Sequence, residues 1–134
     1  MIDWDGELVD YFRKNCIDWH QGALSNPKLR LEITDVFTAS VPIRPYDAIL
    51  IDLLDPDVAE LRWQKLLRTL LTQWLDPNGV LVLNAGGVLP WDKTAIVRAM
   101  SALACVGVSC ETVFVPSYFR EWAFVTCSHP SAAQ

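Results

Sequence analysis

Apolar positions along the chain follow three patterns, each of which predicts a different kind of element. Over residues 6–15, Leu8, Val9 and Phe12 fall on one helical face, so a helix is expected there. Residues 16–28 read as a connection carrying Gly22 and the Asn26-Pro27 turn signal. Over 29–34, Leu29, Leu31 and Ile33 alternate with Arg30, Glu32 and Thr34, the period of a half-buried strand. After Pro42 and Pro45, Ala48-Ile49-Leu50-Ile51 is a continuous apolar run, which predicts a central strand covered on both faces. Trp63, Leu66, Leu67, Leu70, Leu71 and Trp74 recur at three-and-four spacing and predict a helix, with Asp55 as its cap and Pro56 in its first turn. Pro77-Asn78-Gly79 should end it, and Val80-Leu81-Val82-Leu83 should be a second buried strand. Gly86-Gly87 then opens a loop, a helix runs from Trp91 or Asp92 to about Cys105, and strands near 107–115 and 121–127 flank a Pro116-Ser117 bend.

Strands that alternate with helices predict an α/β fold with an open, mostly parallel sheet. The last two strands have no helix between them and should form an antiparallel pair. The expected organisation is one domain over 1–128, with 129–134 as a frayed tail. In sheets of this kind ligands bind beyond the carboxyl ends of the strands. That rule selects Asp35, Asp52, Asp55 and Asn84.

Composition narrows the chemistry. Of 134 residues 51% are hydrophobic, enough for a real core, and the formal charge is −5. That balance argues against a nucleic-acid partner but suits a small cationic one. No apolar run reaches the roughly 20 residues of a membrane span. Asp3, Asp5, Glu7 and Asp10 stand where a signal peptide would be basic and apolar, so a cytoplasmic protein is expected. Cys16, Cys105, Cys110 and Cys127 have no ligand spacing with each other or with His20 and His129, so no metal is expected and reduced thiols are.

Asp52 ends a buried strand and Asp55 follows three residues later. Two such carboxylates can hold a cation or accept a proton, or they can simply end the strand and cap the helix. Asp35 is either an adenine acceptor or the cap of a short helix at 36–40. Asp3 is either a ribose ligand or part of a solvated acidic cluster. Tyr118 could assist proton removal or only pack, and Trp122 and Phe124 read first as strand core. The Gly86-Gly87 pair is a weak phosphate-loop signal, with no Lys-Ser or Lys-Thr after it.

Four segments in order resemble the spermidine synthases and related aminopropyltransferases. Tyr46-Asp47-Ala48-Ile49-Leu50-Ile51-Asp52-Leu53-Leu54-Asp55-Pro56 is similar to that family's YDVIIVDxxDP stretch. Asn26-Pro27-Lys28-Leu29-Arg30 through Thr34-Asp35-Val36-Phe37 resembles DPRV…GDAF. Asp3-Trp4-Asp5 with Leu8-Val9 resembles EID…V, and Pro116-Ser117-Tyr118 with Trp122-Ala123-Phe124 resembles PSY…WGF. The resemblance implies a class I methyltransferase-like Rossmann fold lacking its first strand and glycine loop. It also implies aminopropyl transfer from decarboxylated S-adenosylmethionine, or failing that chemistry from S-adenosylmethionine, with no covalent cofactor. By the same resemblance Asp52 and Tyr118 are catalytic. Asp55, Asn84 (at the family's glutamine) and Trp122 bind the amine. Asp3, Asp35 and Val36 hold the nucleoside of the donor. The missing strand would lie mid-sheet, so the chain is expected to be incomplete or inactive alone, or to self-associate through exposed sheet edges. Two alternatives stand beside this reading: a non-catalytic interaction module that keeps the fold, and a receiver-like phosphoacceptor domain in which Asp3, Asp5 and Asp52 would be the acidic residues.

Overall fold

The computed structural model describes residues 1–53, 61–89, 91–103 and 107–128. They fall into two compact units, Met1–Ser40 and Val41–Gln134. The expected cap at Asp55-Pro56, the end of the helix near Cys105 and the tail 129–134 lie outside the described residues.

The first unit begins with β1 (Ile2–Asp3) and α1 (Gly6–Asn15). Asp5 caps α1 by accepting from the Leu8 backbone N–H at 2.8 Å, and Arg13 and Lys14 lie in its last turn, so both ends suit the helix dipole. Of the predicted apolar face only Val9 is buried; Leu8 is half exposed. A single-turn α2 (Ile17–His20) and a 3₁₀ turn at Ala23–Ser25 follow. The strand expected over 29–34 is reduced to β2 (Glu32–Ile33), parallel to β1 with Asp3 opposite Ile33. Its alternation is real, but β1 offers only two residues to pair with.

The second unit is a four-stranded sheet in the order β3-β4-β6-β5, with β3 at Tyr46–Ile51, β4 at Leu75–Val88, β5 at Gly107–Val115 and β6 at Arg120–Ser128. β3 and β4 are parallel; β4-β6 and β6-β5 are antiparallel. The C-terminal antiparallel pair thus forms as expected, turning at a 3₁₀ segment, Pro116–Tyr118. One face of the sheet is dry: Ile51, Leu81, Leu83, Ala85, Ala123, Val125 and Cys127 are all buried. Against the expectation for a central strand, β3 stands at one end of this sheet and Leu50 is 76% exposed.

α3 (Leu61–Thr69) runs into a widened π turn, Leu70–Trp74. All six residues of the predicted stripe, Trp63 through Trp74, are buried. Each such side chain contributes about 1.5–3 kcal/mol relative to exposure. The helix ends at Trp74, before Pro77-Asn78-Gly79, which instead occupies a register shift between β4 and β3. α4 spans Thr94–Ala102 and begins two or three residues later than expected. Neither helix nor any other among the described residues is long and apolar enough to cross a membrane.

Candidate functional site

Register builds the site. Ile51 is opposite Leu83 in the parallel β3-β4 pair, so the next residues, Asp52 and Asn84, come level where β3 stops. β4 continues to Val88 and carries Asn84 on the face opposite the dry one, since side chains alternate along a strand. The Asn84 side-chain amide donates to Asp52 Oδ1 at 2.7 Å. The Asn84 carbonyl oxygen accepts from the Gly86 backbone N–H at 2.9 Å and from the indole N–H of Trp122.

Two glycines make this arrangement feasible. β4 and β6 slip register between Asn84 and Gly86, and Gly86 has φ +86°, a conformation that L side chains rarely adopt. The pair Gly86-Gly87 is therefore a bulge inside a strand, not the loop expected. Past the bulge Gly87 faces Trp122, and a Cβ on it would come within 2.7 Å of Arg120 Cδ and 3.3 Å of the Trp122 ring. The missing side chain is the room through which the indole reaches back to Asn84.

Tyr118 joins from the turn before β6. Phe119 takes φ +51° and reverses the chain, and the Tyr118 ring stacks on Trp122 with centroids 4.4 Å apart and planes at 26°. Asp52, Asn84, Trp122 and Tyr118 thus form one connected group, with Tyr118 58% exposed and Asp52 also open to solvent. Trp122 was expected mainly as strand core. Its indole N–H instead serves a polar partner 38 residues away, which period-two alternation could not indicate. Arg120, whose side chain lies over Gly87, had no signal in the sequence pattern at all.

Asp55 lies outside the described residues, and the remaining candidates lie in the first unit. Asp3 and Asp35 sit at the same end of the β1-β2 pair, since the Thr34 N–H donates to the Asp3 carbonyl at 2.8 Å. Asp3 Oδ1 accepts from the Asp5 N–H at 2.9 Å. Asp35 Oδ1 accepts from the Phe37 N–H at 2.9 Å, which closes a turn where a short helix at 36–40 was the bland expectation. Val36 is half-buried in that turn.

Among the described residues no three His, Cys, Asp or Glu side chains gather to hold a metal ion, and Cys16 and Cys110 are free thiols. Burial, partly offset by Lys93, pushes the Cys110 thiol above its ordinary range.

The fold has counterparts among solved structures. The spermidine synthase of Thermotoga maritima has the same fold, with a TM-score of 0.70 at 20% identity over 95% of this chain and 44% of that one. A spermidine synthase crystallised with the transition state analogue AdoDATO gives a TM-score of 0.66 at 18% identity, over 95% of this chain and 45% of that one. Both carry a class I methyltransferase-like fold, as expected. By sequence, polyamine aminopropyltransferase 2 of Hyperthermus butylicus is 35% identical over 96% of this chain and 44% of its own length. The polyamine aminopropyltransferase of Aeropyrum pernix is 28% identical over 96% and 43%, and that of Mycobacterium tuberculosis (strain H37Rv) 30% over 92% and 25%. The chain therefore spans less than half the length of these relatives. The receiver-like reading of Asp3, Asp5 and Asp52 gains no support from any of them. The model of the spermine/spermidine synthase domain matches residues 1–133, and with the fold, the ordered motifs and that match in agreement, the chain belongs to the spermine/spermidine synthase family.

Proposed function

We propose that this chain supplies the amine-handling part of an aminopropyltransferase that uses decarboxylated S-adenosylmethionine as donor. The observation that carries the reading is the connected group of Asp52, Asn84, Trp122 and Tyr118 at the carboxyl end of β3. An alkylammonium has a pKa of about 10 and must lose a proton before its nitrogen can attack. Asp52, solvent-open and hydrogen-bonded on one oxygen, attracts the ammonium and takes that proton. The freed lone pair attacks the aminopropyl carbon next to the sulfonium. The C–N bond forms, the C–S bond breaks with its electrons going to sulfur, and methylthioadenosine leaves uncharged. Tyr118 presents its phenol beside the same group and positions the amine.

In this reading Asp3 binds the ribose, Asp35 and Val36 bind the adenine, and Asp55 holds a second amine. Donor and acceptor are both cations, which an acidic site favours. The carboxylate of intact S-adenosylmethionine would be repelled by it, so aminopropyl transfer is preferred over methyl transfer.

The test is a transfer assay on the chain with decarboxylated S-adenosylmethionine and putrescine, alongside calorimetry with methylthioadenosine. Asp52→Asn should cut transfer by about 10²–10⁴-fold with methylthioadenosine binding unchanged. Nucleoside binding without transfer in the unaltered chain would instead favour a non-catalytic module, and no binding of either ligand would sink the proposal.

A further inference from the structure

We infer that Trp122 is a positioning residue: together with the Gly86 backbone N–H it dictates which end of the Asn84 amide faces Asp52, and so leaves the amine a single, fixed carboxylate oxygen. The inference deepens the proposed function and rests on it for the identity of the amine, though not for the geometry.

The argument is one of donors and acceptors. An asparagine amide has a carbonyl end that only accepts and an NH₂ end that only donates. Two groups meet the Asn84 carbonyl end, the Trp122 indole N–H and the Gly86 backbone N–H, and both can only donate. On the other side stands Asp52 Oδ1, at 2.7 Å, which as a carboxylate can only accept. Turning the amide over would set NH₂ against two N–H groups and oxygen against oxygen, exchanging three attractive contacts for three repulsive ones. The orientation is therefore decided by the chemistry of the neighbours.

Its consequence falls on Asp52. Oδ1 is engaged by Asn84, and among the described residues Oδ2 has no hydrogen-bond partner. The carboxylate plane is held by one edge, and its other oxygen is the one offered to an incoming ammonium. Trp122 touches neither the proton nor the amine in this scheme. It acts through Asn84, and its own position depends on the bare Gly87 and on the stacked Tyr118 ring. A residue in van der Waals contact would serve the packing as well; only a donor at this point serves the orientation.

Two variants and one ligand-free measurement test this. Trp122→Phe keeps the ring and removes the N–H. Putrescine binding should weaken about tenfold, the size expected for one hydrogen bond in a charged network, while methylthioadenosine binding stays the same. Asn84→Asp keeps both acceptor contacts but sets a second carboxylate against Asp52. Two like charges side by side disfavour each other's ionised form, so putrescine binding should depend on pH more steeply in this variant than in the unaltered chain. In the ligand-free chain, the Trp122 indole proton should exchange with solvent more slowly than those of Trp4 and Trp19, which are 77% and 85% exposed, and Asn84→Ala should abolish the difference.

Equal loss of both ligands in Trp122→Phe would mean that the indole only packs, and the inference fails. Unchanged putrescine affinity in that variant, or an indole proton exchanging as fast as those of Trp4 and Trp19, overturns it as well. If the unaltered chain takes up no putrescine, the proposed function is lost, and the exchange measurement alone decides the orientation.

Discussion

The two units are built on opposite terms. Among the described residues, Met1–Ser40 buries one hydrophobic side chain, Val9, while it exposes Trp4, Tyr11, Ile17 and Trp19. Its strands are two residues long, and besides that short pairing its order comes from local bonds such as the Asp5 cap, the turns closed by Asn26 and Asp35, and the Arg13–Asp10 pair at 2.8 Å. Exposed pairs of that sort contribute about 0–1 kcal/mol each. Val41–Gln134 instead stacks the α3 stripe and one face of a four-stranded sheet into a dry interior. Cooperative stability belongs to burial, and local hydrogen bonds give shape without much free energy. The nucleoside candidates therefore sit on the lightly held unit, and the amine candidates on the firmly held one.

The largest expected effect separates the units by core truncation. Leu83, next to Asn84 on β4, is fully buried on the opposite face, so Leu83→Ala should cost about 2–5 kcal/mol and abolish protection of the second unit in amide hydrogen exchange. Val9→Ala removes about two methylene equivalents, at most ~1.6 kcal/mol, and should leave the second unit's exchange untouched. If both substitutions lowered the urea midpoint equally, the contrast between the units would be wrong.

A smaller effect compares two glycines that differ only in surroundings. Gly22 (φ +82°) and Gly86 (φ +86°) both have open space where a Cβ would go, so alanine at either meets backbone strain and nothing else. That strain is about 1–2 kcal/mol if the backbone is held. At Gly22, between a single-turn helix and a 3₁₀ turn, the chain can relax, and Gly22→Ala should change little. At Gly86 the strand is held to β6 before and after the bulge, from Val80 to Val88, and cannot. Gly86→Ala should show the strain in full and also displace the N–H that holds Asn84, so putrescine affinity should fall with stability.

What could be read from residues follows the same division. The α3 stripe was legible because burial imposes its period on many positions at once, and the antiparallel β5-β6 pair because a short turn leaves no room for a crossover. Residues 29–34 alternate as a strand should, yet pairing needs a partner of matching length, which alternation cannot supply. Asp52 was legible as a strand-end carboxylate. Its clamp was not, because the bulge at Gly86 and the clearance at Gly87 set the register by which Trp122 reaches Asn84. Paired glycines look alike in a loop and in a bulge. The continuous run ending at Ile51 suggested cover on both faces, and Leu50 shows that a run of apolar residues does not state how many neighbours a strand has.

The smallest expected effect is electrostatic and touches only the firmly held unit. Asp92 precedes α4, and its carboxylate accepts from the Thr94 backbone N–H at 2.9 Å. Hydrogen bonds from the Thr94 side chain and backbone, with a lesser contribution from Arg98, hold the carboxyl below its ordinary value of 3.8. A carboxyl depressed in the folded state contributes stability above its unfolded pKa, and that contribution is lost as pH falls through the lower, folded value. Acidification below about pH 4 should therefore loosen the first turn of α4 before it disturbs the sheet, seen as faster exchange at Thr94–Val97 with Leu83 still protected. Asp92→Asn should flatten that response, since an amide accepts the same bond without titrating. The group is fully exposed and screened by solvent, so a global collapse at this pH that Asp92→Asn prevented would mean that α4 holds the second unit together, and the core stripe would no longer account for its stability.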